Sequence, residues 1–201
     1  MKGCPDKSGG LIFESSSRST LLVEHDLFRK PVSTFRDHAL MGDLVVRSMR
    51  PEDAPAVVAM ARALAAAVDD PEPPLAPADL VRDGSGPQAW FDCLIAELAG
   101  HPVAYAVLCK GFEAHTAKRR LWIGDLYVEP QARRAGVGRA LLSAIARHAL
   151  ALGCDAVYWE LWRMNHAGEA FYRKLRADTA DDLAVMRFEK DRLADIAAEA
   201  V

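Results

Sequence analysis

Arg133-Arg134-Ala135-Gly136-Val137-Gly138 is the stretch that decides the fold of this chain. It lies between a strand-like run, residues 121–128, and a helix-like run, residues 137–152. The two glycines allow a tight turn. The first N–H groups of the helix lack intrahelical partners and lie at the positive end of the helix dipole. These features predict an anion site suited to phosphate or pyrophosphate, to which Arg133, Arg134 and Arg139 add positive charge.

Two better-known phosphate-binding loops do not match this stretch. A P-loop requires a glycine, four further residues and then Gly-Lys-Ser or Gly-Lys-Thr, and the sequence has no such run. A dinucleotide-binding fingerprint requires a third glycine three residues after Gly138, where Leu141 stands. The alternative to an anion site is an ordinary strand-turn-helix corner with a glycine-rich bend.

Composition excludes several classes of protein. The chain has 201 residues, 51% of them hydrophobic, which indicates one domain with appendages. Its net charge of -3 predicts no general attraction to nucleic acid. No apolar run reaches the roughly 18 residues that a membrane span needs, so we expect no membrane partner. The histidines show no metal-ligand spacing, so we expect no metal.

The cysteines indicate the compartment. Cys4, Cys93, Cys109 and Cys154 form no CxxC pair, and three of them lie in apolar segments. Thiols of this kind are typical of a reducing environment, so we predict a cytoplasmic protein.

The first 43 residues differ from the rest. Residues 1–20 are rich in glycine, serine and charge, and they contain no continuous apolar core of a secretory signal. We interpret residues 1–43 as an extension that is poorly ordered or reflects an upstream start, with Met41 as an alternative start. An ordered appendage is the other interpretation.

Periodicity predicts a regular α/β domain from residue 44 onward. The predicted strands are 44–49, 91–98, 102–110, 120–128, 156–162 and 183–188, with a polar loop at 112–119. The predicted helices are 51–68, one that begins at 77–81, 137–152, 167–175 and 191–200. This order indicates a twisted mixed sheet of about six to seven strands with helices on both faces. A ligand cleft is expected where strands 121–128 and 156–162 separate at their carboxyl ends.

Three segments carry a resemblance to a known family: 75–98, 125–142 (DLYVEPQARRAGVGRALL) and 159–177 (WELWRMNHAGEAFYRKLRA). With Asn165 followed by Phe171-Tyr172, they resemble the GCN5-related N-acetyltransferases, the GNAT superfamily. They are most similar to the diamine (spermidine/spermine) and thialysine N-acetyltransferase branch. The resemblance covers residues 44–194 and leaves 195–201 as a C-terminal tail.

The resemblance implies an enzyme that transfers an acetyl group from acetyl-CoA to a small-molecule primary amine by direct attack, and a homodimer. It implies that the backbone of Leu126, Tyr127 and Val128 pairs with pantetheine, and that the 134–139 N–H groups hold pyrophosphate. Asn165 would bind the pantetheine arm, and Tyr172 would protonate the leaving thiolate. The implied cofactor-binding residues are Leu126, Tyr127, Val128, Arg133, Arg134, Ala135, Gly136, Val137, Gly138, Arg139, Asn165, Ala167, Gly168 and Tyr172.

Departures from the diamine branch fall mainly on the acceptor side. Gly124 replaces the first residue of an acidic pair and Arg163 replaces another acid, while Ala66 and Ala67 replace aromatic and acidic residues. The glycine that usually follows FYxKL is Arg176.

The acceptor residues are Asp125, which is also a catalytic candidate, Glu160 and Arg163, with Asp69 or Asp70 as further candidates to recognise the ammonium group. An oligo-cation beside Arg163 would be repelled, and a carboxylate would be attracted. The resemblance implies a diamine-like or amino-acid-like acceptor. From the charges we predict a small substrate with one primary amine, with a carboxylate as an optional partner for Arg163, and poor activity on spermine.

Other interpretations stay open. Tyr172 could be a core aromatic, Asn165 could cap the following helix, and Asp125 could pair with Arg119 or Arg120. The chain could instead be a catalytically silent CoA-binding or dimeric module, or a GNAT enzyme acting on protein or peptide amines.

Overall fold

The computed structural model describes residues 44–180 and 184–199. The predicted extension 1–43, with Met41 as a start, lies outside the described residues. The chain divides into two compact units, one that ends at Phe171 and one that begins at Tyr172. Each unit is described below by itself.

Five strands form one mixed sheet within the described residues. They are β1 Leu44–Ser48, β2 Asp92–Leu98, β3 His101–Glu113, β4 Lys118–Val128 and β5 Ala156–Trp159. Their spatial order is β1-β2-β3-β4-β5. The first four are antiparallel neighbours, and β5 runs parallel to β4. A tight turn with positive φ at Ala99 and Gly100 joins β2 to β3, where the sequence predicted a hairpin.

Residues 44–180 and 184–199 also contain five α-helices. They are α1 Ala54–Ala67, which follows the 3-10 turn Pro51–Asp53, α2 Pro77–Asp83, α3 Val137–Ala151, α4 His166–Lys174 and α5 Lys190–Ala198. Helix α3 begins where predicted and ends one residue before its predicted end. The prediction was close because the apolar residues of this helix recur at helical spacing on one buried face.

Helices cover both faces of the sheet, as predicted. On one face, Val57 and Leu64 of α1 share a buried core cluster with Ile95 and Tyr105. Side chains alternate along a strand, so Leu94 and Ala96 lie on the opposite face. Helix α3 packs against the sheet through its buried residues Val137, Leu141, Ile145 and Ala149. Each buried side chain of leucine size stabilises the fold by about 1.5–3 kcal/mol.

The predicted polar loop at 112–119 is too long, because only residues 114–117 form a turn and the two residues on each side of them are strand. β3 continues to Glu113 and β4 begins at Lys118, with Phe112 opposite Arg119. Arg120 forms an ion pair with Glu113 at 2.9 Å across the two strands. Cross-strand pairing therefore lengthens both strands through polar residues, whose sequence shows no alternating apolar pattern.

The predicted last strand, 183–188, is wrong over residues 184–188. Residues 184–188 have no strand structure, and residue 183 lies outside the described residues. Val185, Met186 and Phe188 are exposed, so their apolar character does not reflect burial in a sheet. The sheet accordingly has fewer strands than expected over the described ranges.

Arg176, in the second unit, stands where the resemblance implies a glycine. Its φ is 63°, in the left-handed region. A residue with a Cβ pays about 1–2 kcal/mol for this conformation, and glycine does not. The position therefore terminates the α4 turn at some conformational cost in this chain.

Candidate active site

The separation of β4 from β5 creates the candidate site. Their parallel pairing runs from Arg120 opposite Ala156 to Ile123 opposite Trp159. Beyond that pair, β4 continues to Val128 and pairs with β3 alone among the described strands. The β5 side of residues 124–128 is therefore a sheet edge, and such an edge can pair with an extended ligand.

A bulge in β4 marks the start of this separation. Val107 lies opposite Asp125 and Leu108 lies opposite Ile123, so Gly124 is the extra residue on β4. A bulge bends its strand and increases the local twist. Gly124 therefore lies where β4 turns away from β5.

The glycine loop follows directly from this edge. After the 3-10 turn Pro130–Ala132, Arg134 and Gly136 both have positive φ, at 66° and 80°. Gly136 is the N-cap of α3 and makes no side-chain cap hydrogen bond. The first N–H groups of α3 are thus not satisfied by a capping side chain, which suits an anionic ligand.

Arg133 has a structural role that the sequence did not reveal. Its Nε donates a hydrogen bond of 3.0 Å to the carbonyl oxygen of Val128. Its guanidinium also lies 5.9 Å from the centroid of the Tyr127 ring. Arg133 therefore ties the loop to the end of β4, whereas Arg134 and Arg139 are exposed.

Asn165 caps α4, as one interpretation of the sequence held. Its Oδ1 accepts a 2.9 Å hydrogen bond from the N–H of Gly168, and the residue is buried. A Cβ on Gly168 would lie 2.6 Å from Nδ2 of Asn165. Gly168 thus lets the Asn165 side chain fold back over the first turn of α4, beside the half-buried Ala167.

The start of α3 lies close to Phe171, in the middle of α4. A Cβ built on Gly138 would lie 3.6 Å from Cζ of Phe171 and 3.9 Å from Cγ2 of Val128. The glycine loop, the end of β4 and helix α4 therefore meet at one end of the sheet.

Asp125 is the candidate acceptor residue with a described partner. The hydroxyl of Tyr105 donates a hydrogen bond of 3.3 Å to its Oδ2. Burial raises the pKa of Asp125, and the Tyr105 hydrogen bond partly opposes that shift. The predicted alternative, an ion pair with Arg119 or Arg120, is wrong. Arg119 donates to the carbonyl of Leu152 at 2.8 Å, and Arg120 pairs with Glu113.

Two further acceptor candidates follow β5. Glu160 is half-buried immediately after the strand, and Arg163 is exposed in the turn before α4. Because β4 and β5 are parallel, Asp125 and Glu160 lie at the same end of the sheet, past the last paired residues.

Tyr172 is the first residue of the second unit. It lies on α4 and its side chain is 3% exposed. Burial raises the pKa of its hydroxyl, which is therefore protonated at neutral pH. In that state the hydroxyl can donate a hydrogen bond or a proton.

Nowhere in 44–180 or 184–199 do three histidine, cysteine or acidic side chains gather as metal ligands. Within these ranges, no helix has the length and apolar character to span a bilayer. A cleft of ≈ 330 Å³ lies at the other end of β4, lined in part by Arg119, Arg120 and Cys154.

Comparisons with known proteins show the family of the chain. The model of the acetyltransferase (GNAT) family matches residues 59–176. A human spermidine/spermine N(1)-acetyltransferase-like protein 1 is 27% identical over 166 residues, which cover 77% of this chain and 24% of that protein. A Bos taurus thialysine N-epsilon-acetyltransferase is 28% identical over 127 residues, covering 58% of this chain and 75% of that enzyme.

The fold has solved relatives as well. An integron cassette protein from the mobile metagenome of V. cholerae superimposes with a TM-score of 0.65 and 19% identity. The match covers 77% of this chain and 98% of that one. At this identity the likeness concerns the fold alone.

Proposed function

The chain belongs to the acetyltransferase (GNAT) family, and from that premise we propose that it transfers the acetyl group of acetyl-CoA to the primary amine of a small molecule that is amino-acid-like or diamine-like. The observation that carries the proposal is the separation of β4 from β5 beside the start of α3. There, a strand edge and a helix start with no side-chain cap lie at the same end of the sheet.

The cofactor assignment rests on this edge and on the loop. The edge formed by Leu126, Tyr127 and Val128 has the hydrogen-bonding groups to pair with the amides of pantetheine. The N–H groups from Arg134 to Arg139, with the positive end of the α3 dipole, suit the pyrophosphate. Asn165, Ala167 and Gly168 would flank the pantetheine arm. When bound, acetyl-CoA supplies an activated thioester.

The residues of the chain would then manage charge and protons. A backbone N–H near Val128 would stabilise negative charge that develops on the acetyl oxygen. A lysine-like amine has a pKa of about 10.4, so it must lose a proton before or during attack. Asp125 or Glu160 would accept that proton, directly or through water. The hydroxyl of Tyr172 would donate a proton to the leaving sulfur.

The proposed acceptor follows from the charges around it. Asp125 and Glu160 can recognise one ammonium group, while Arg163 can pair with a carboxylate. Thialysine, the substrate named for the Bos taurus relative, is an amino acid with a carboxylate, an α-amine beside that carboxylate and a single amine at the end of its side chain. An amino-acid-like acceptor therefore fits this set better than spermine, whose several ammonium groups would need more carboxylates.

A panel of acceptors tests the proposal. Purified protein with acetyl-CoA would be offered spermine, thialysine, single amino acids and peptides, with thiol release and product mass as readouts. We expect kcat/KM for thialysine to exceed that for spermine by about tenfold or more, the size of one lost charge contact.

A charge-reversed variant sharpens the test. Arg163→Asp is expected to narrow this preference, whereas Arg147→Asp, an exposed reversal on α3, is expected to leave it unchanged. Efficient spermine acetylation that Arg163→Asp does not alter would contradict the proposed acceptor pocket.

The alternative function has one observation in its favour. Gly124 and Arg163 remove carboxylates that the diamine branch uses, so the pocket could be catalytically silent while CoA still binds. Acetyl-CoA binding by calorimetry, without turnover on any member of the panel, would favour that module. Turnover on peptides alone would favour an enzyme acting on protein amines.

We also propose a cytoplasmic homodimer. Support for assembly comes from Val185, Met186 and Phe188, three apolar side chains exposed in the second unit. Support for the compartment comes from the free thiols of Cys93, Cys109 and Cys154, which a reducing environment preserves.

A further inference from the structure

Tyr105 and Asp125 form a hydrogen-bonded pair across two strands. Tyr105 lies on β3 opposite Tyr127, and Asp125 lies on β4 opposite Val107. The side chains therefore occupy diagonal positions, and the Tyr105 hydroxyl reaches Oδ2 of Asp125 at 3.3 Å. Diagonal neighbours on one face of a sheet are within reach of an aromatic side chain.

The tyrosine is held firmly in place. It is 1% exposed and belongs to the core cluster that includes Val57, Leu64 and Ile95. Its ring centroid lies 6.5 Å from that of Tyr127, at an interplanar angle of 41°. A side chain packed in this way can fix the orientation of a partner, because its own rotamer is restrained.

The pair has a defined direction of donation. Burial and the neighbouring carboxylate raise the pKa of Tyr105, so its hydroxyl stays protonated and donates. Asp125 accepts at Oδ2 only, and no hydrogen bond to Oδ1 is present in the described part of the chain. One carboxylate oxygen is thus restrained, while the other is left for a ligand.

The other carboxylates near Asp125 are engaged with bases. Asp92 on β2, which acts on the Cys109 thiol, contacts Lys110 at 3.1 Å and His148 at 3.0 Å. The negative charge of Asp125 acts on three titratable groups and helps to raise their pKa values. They are the thiols of Cys93 on β2 and Cys109 on β3, and the hydroxyl of Tyr105. Burial raises the pKa of Cys93 to about 12, so that thiol is neutral. Asp53, before α1, couples to Cys93 and is ion-paired with Arg47. Gly124 stands beside Asp125, so Asp125 supplies the one carboxylate on β4.

We propose that Tyr105 is a positioning residue that orients the Asp125 carboxylate toward the ammonium group of the acceptor. It supplies a neutral donor next to Asp125, where a second carboxylate would instead attract a second ammonium group. The pair thereby selects an acceptor with one ammonium group at this point. This inference rests on the proposed function.

The Tyr105→Phe variant tests the pair, with Tyr158→Phe as the matched control. Tyr158 stacks on Trp122 and lies near Arg120, and no described hydrogen bond joins it to Asp125. We expect Tyr105→Phe to raise the KM of the amine about tenfold, as for loss of one hydrogen bond to a charged group. The KM of acetyl-CoA should stay within about twofold of the parent value. A twofold change in KM corresponds to much less free energy than a hydrogen bond to a charged group.

A pH profile separates positioning from a structural role. The Tyr105 hydrogen bond lowers the pKa of Asp125, so its removal should raise that pKa. The acid limb of kcat/KM should therefore move to higher pH in Tyr105→Phe and stay in place in Tyr158→Phe. In the Asp125→Asn background, Tyr105→Phe should have little further effect, because the two changes remove one interaction.

Two results would overturn the inference. One is an unchanged amine KM with an unchanged acid limb; the other is a KM of acetyl-CoA that rises in parallel with that of the amine. If no amine is acetylated by the parent protein, the proposed function fails instead. Carboxyl NMR titration of Asp125 then decides the pairing, with a higher pKa in Tyr105→Phe expected and an unchanged pKa contradicting it.

Discussion

Asn165 and Gly168 form a contact that a larger residue at 168 would break. The Oδ1 of Asn165 accepts from the Gly168 N–H, and a Cβ at 168 would lie within 2.6 Å of the amide. The Asn165 side chain would have to rotate away, and the first turn of α4 would lose its cap. Losing an N-cap costs about 0.5–2 kcal/mol.

Gly168→Ala should therefore lower both the free energy of unfolding and the affinity for acetyl-CoA. We expect a loss of about 1–2 kcal/mol in urea unfolding and weaker cofactor binding by calorimetry. Gly111→Ala on β3 is the control, because a Cβ there meets its nearest atom at 3.8 Å, an ordinary contact. Equal stability and equal affinity in the two variants would show that the Asn165 cap does not matter.

Tyr172→Phe removes the hydroxyl proposed to protonate the leaving sulfur and keeps the ring. Turnover should fall by roughly 10²–10⁴-fold, the usual range for a positioned acid, with little change in acetyl-CoA affinity. Steady-state kinetics with single-turnover controls measure this. Unchanged turnover, with chemistry shown to be rate-limiting, would mean that another group or water supplies the proton.

Residue roles were predictable where they depend on neighbours in sequence. Asn165 stands three residues before Gly168, so a helix cap could be inferred from the local pattern. The partner of Asp125 could not, because Tyr105 is separated from it by 20 residues and the contact depends on strand register. The bond from Arg133 to the Val128 carbonyl is short-range, yet it depends on the turn geometry between them.

At the scale of elements, the glycine loop can be tested against a glycine of the same conformation. Gly136 and Gly100 have φ of 80° and 78°, so a side chain strains both similarly. Gly136→Glu would also place a carboxylate at the proposed pyrophosphate site, where like charges repel.

We expect Gly136→Glu to abolish acetyl-CoA binding in calorimetry, while Gly100→Glu keeps the affinity of the parent protein. Thermal melts of the two variants show whether backbone strain is comparable. Binding that survives in Gly136→Glu would contradict the loop assignment, and equal losses in both variants would attribute the effect to strain.

Element predictions succeeded where apolar periodicity reported burial. Helix α3 presents a buried apolar face, and its predicted and observed ends differ by one residue. The predicted strand 183–188 is also rich in apolar residues, but these residues are not buried: Met186 is 89% exposed. The early end of β5 depends on its separation from β4, a tertiary event that composition does not encode.

At the scale of the whole molecule, the order of elements predicted a mixed sheet with helices on both faces, which the structure confirms. The parallel pairing of β4 with β5 follows from the crossover through α3, as expected for a strand-helix-strand unit. Strand lengths and number could not be predicted, because β3 and β4 extend through polar residues that pair with one another. The choice of acceptor depends on the charges at Asp125, Glu160 and Arg163, and the fold alone does not determine it.

Assembly is the last whole-molecule prediction. The second unit exposes Met186 and Phe188, and the apolar side chains of Leu193 and Ile196 on α5 are also exposed. Apolar surface of this kind favours burial against a second copy of the chain, and most soluble homo-oligomers are two-fold dimers. Light scattering at micromolar concentration should give twice the 22.0 kDa chain mass.

A charged residue in this segment should shift the mass toward the monomer, because burying an unpaired carboxylate in an interface is costly. Met186→Asp is the test, and Leu150→Asp, at an exposed position of α3, is the control expected to stay dimeric. A monomer mass for the parent protein would contradict assembly itself. A dimer that Met186→Asp leaves intact would place the interface elsewhere, and Leu150→Asp would then become the informative variant, since its exposed leucine is the next candidate contact.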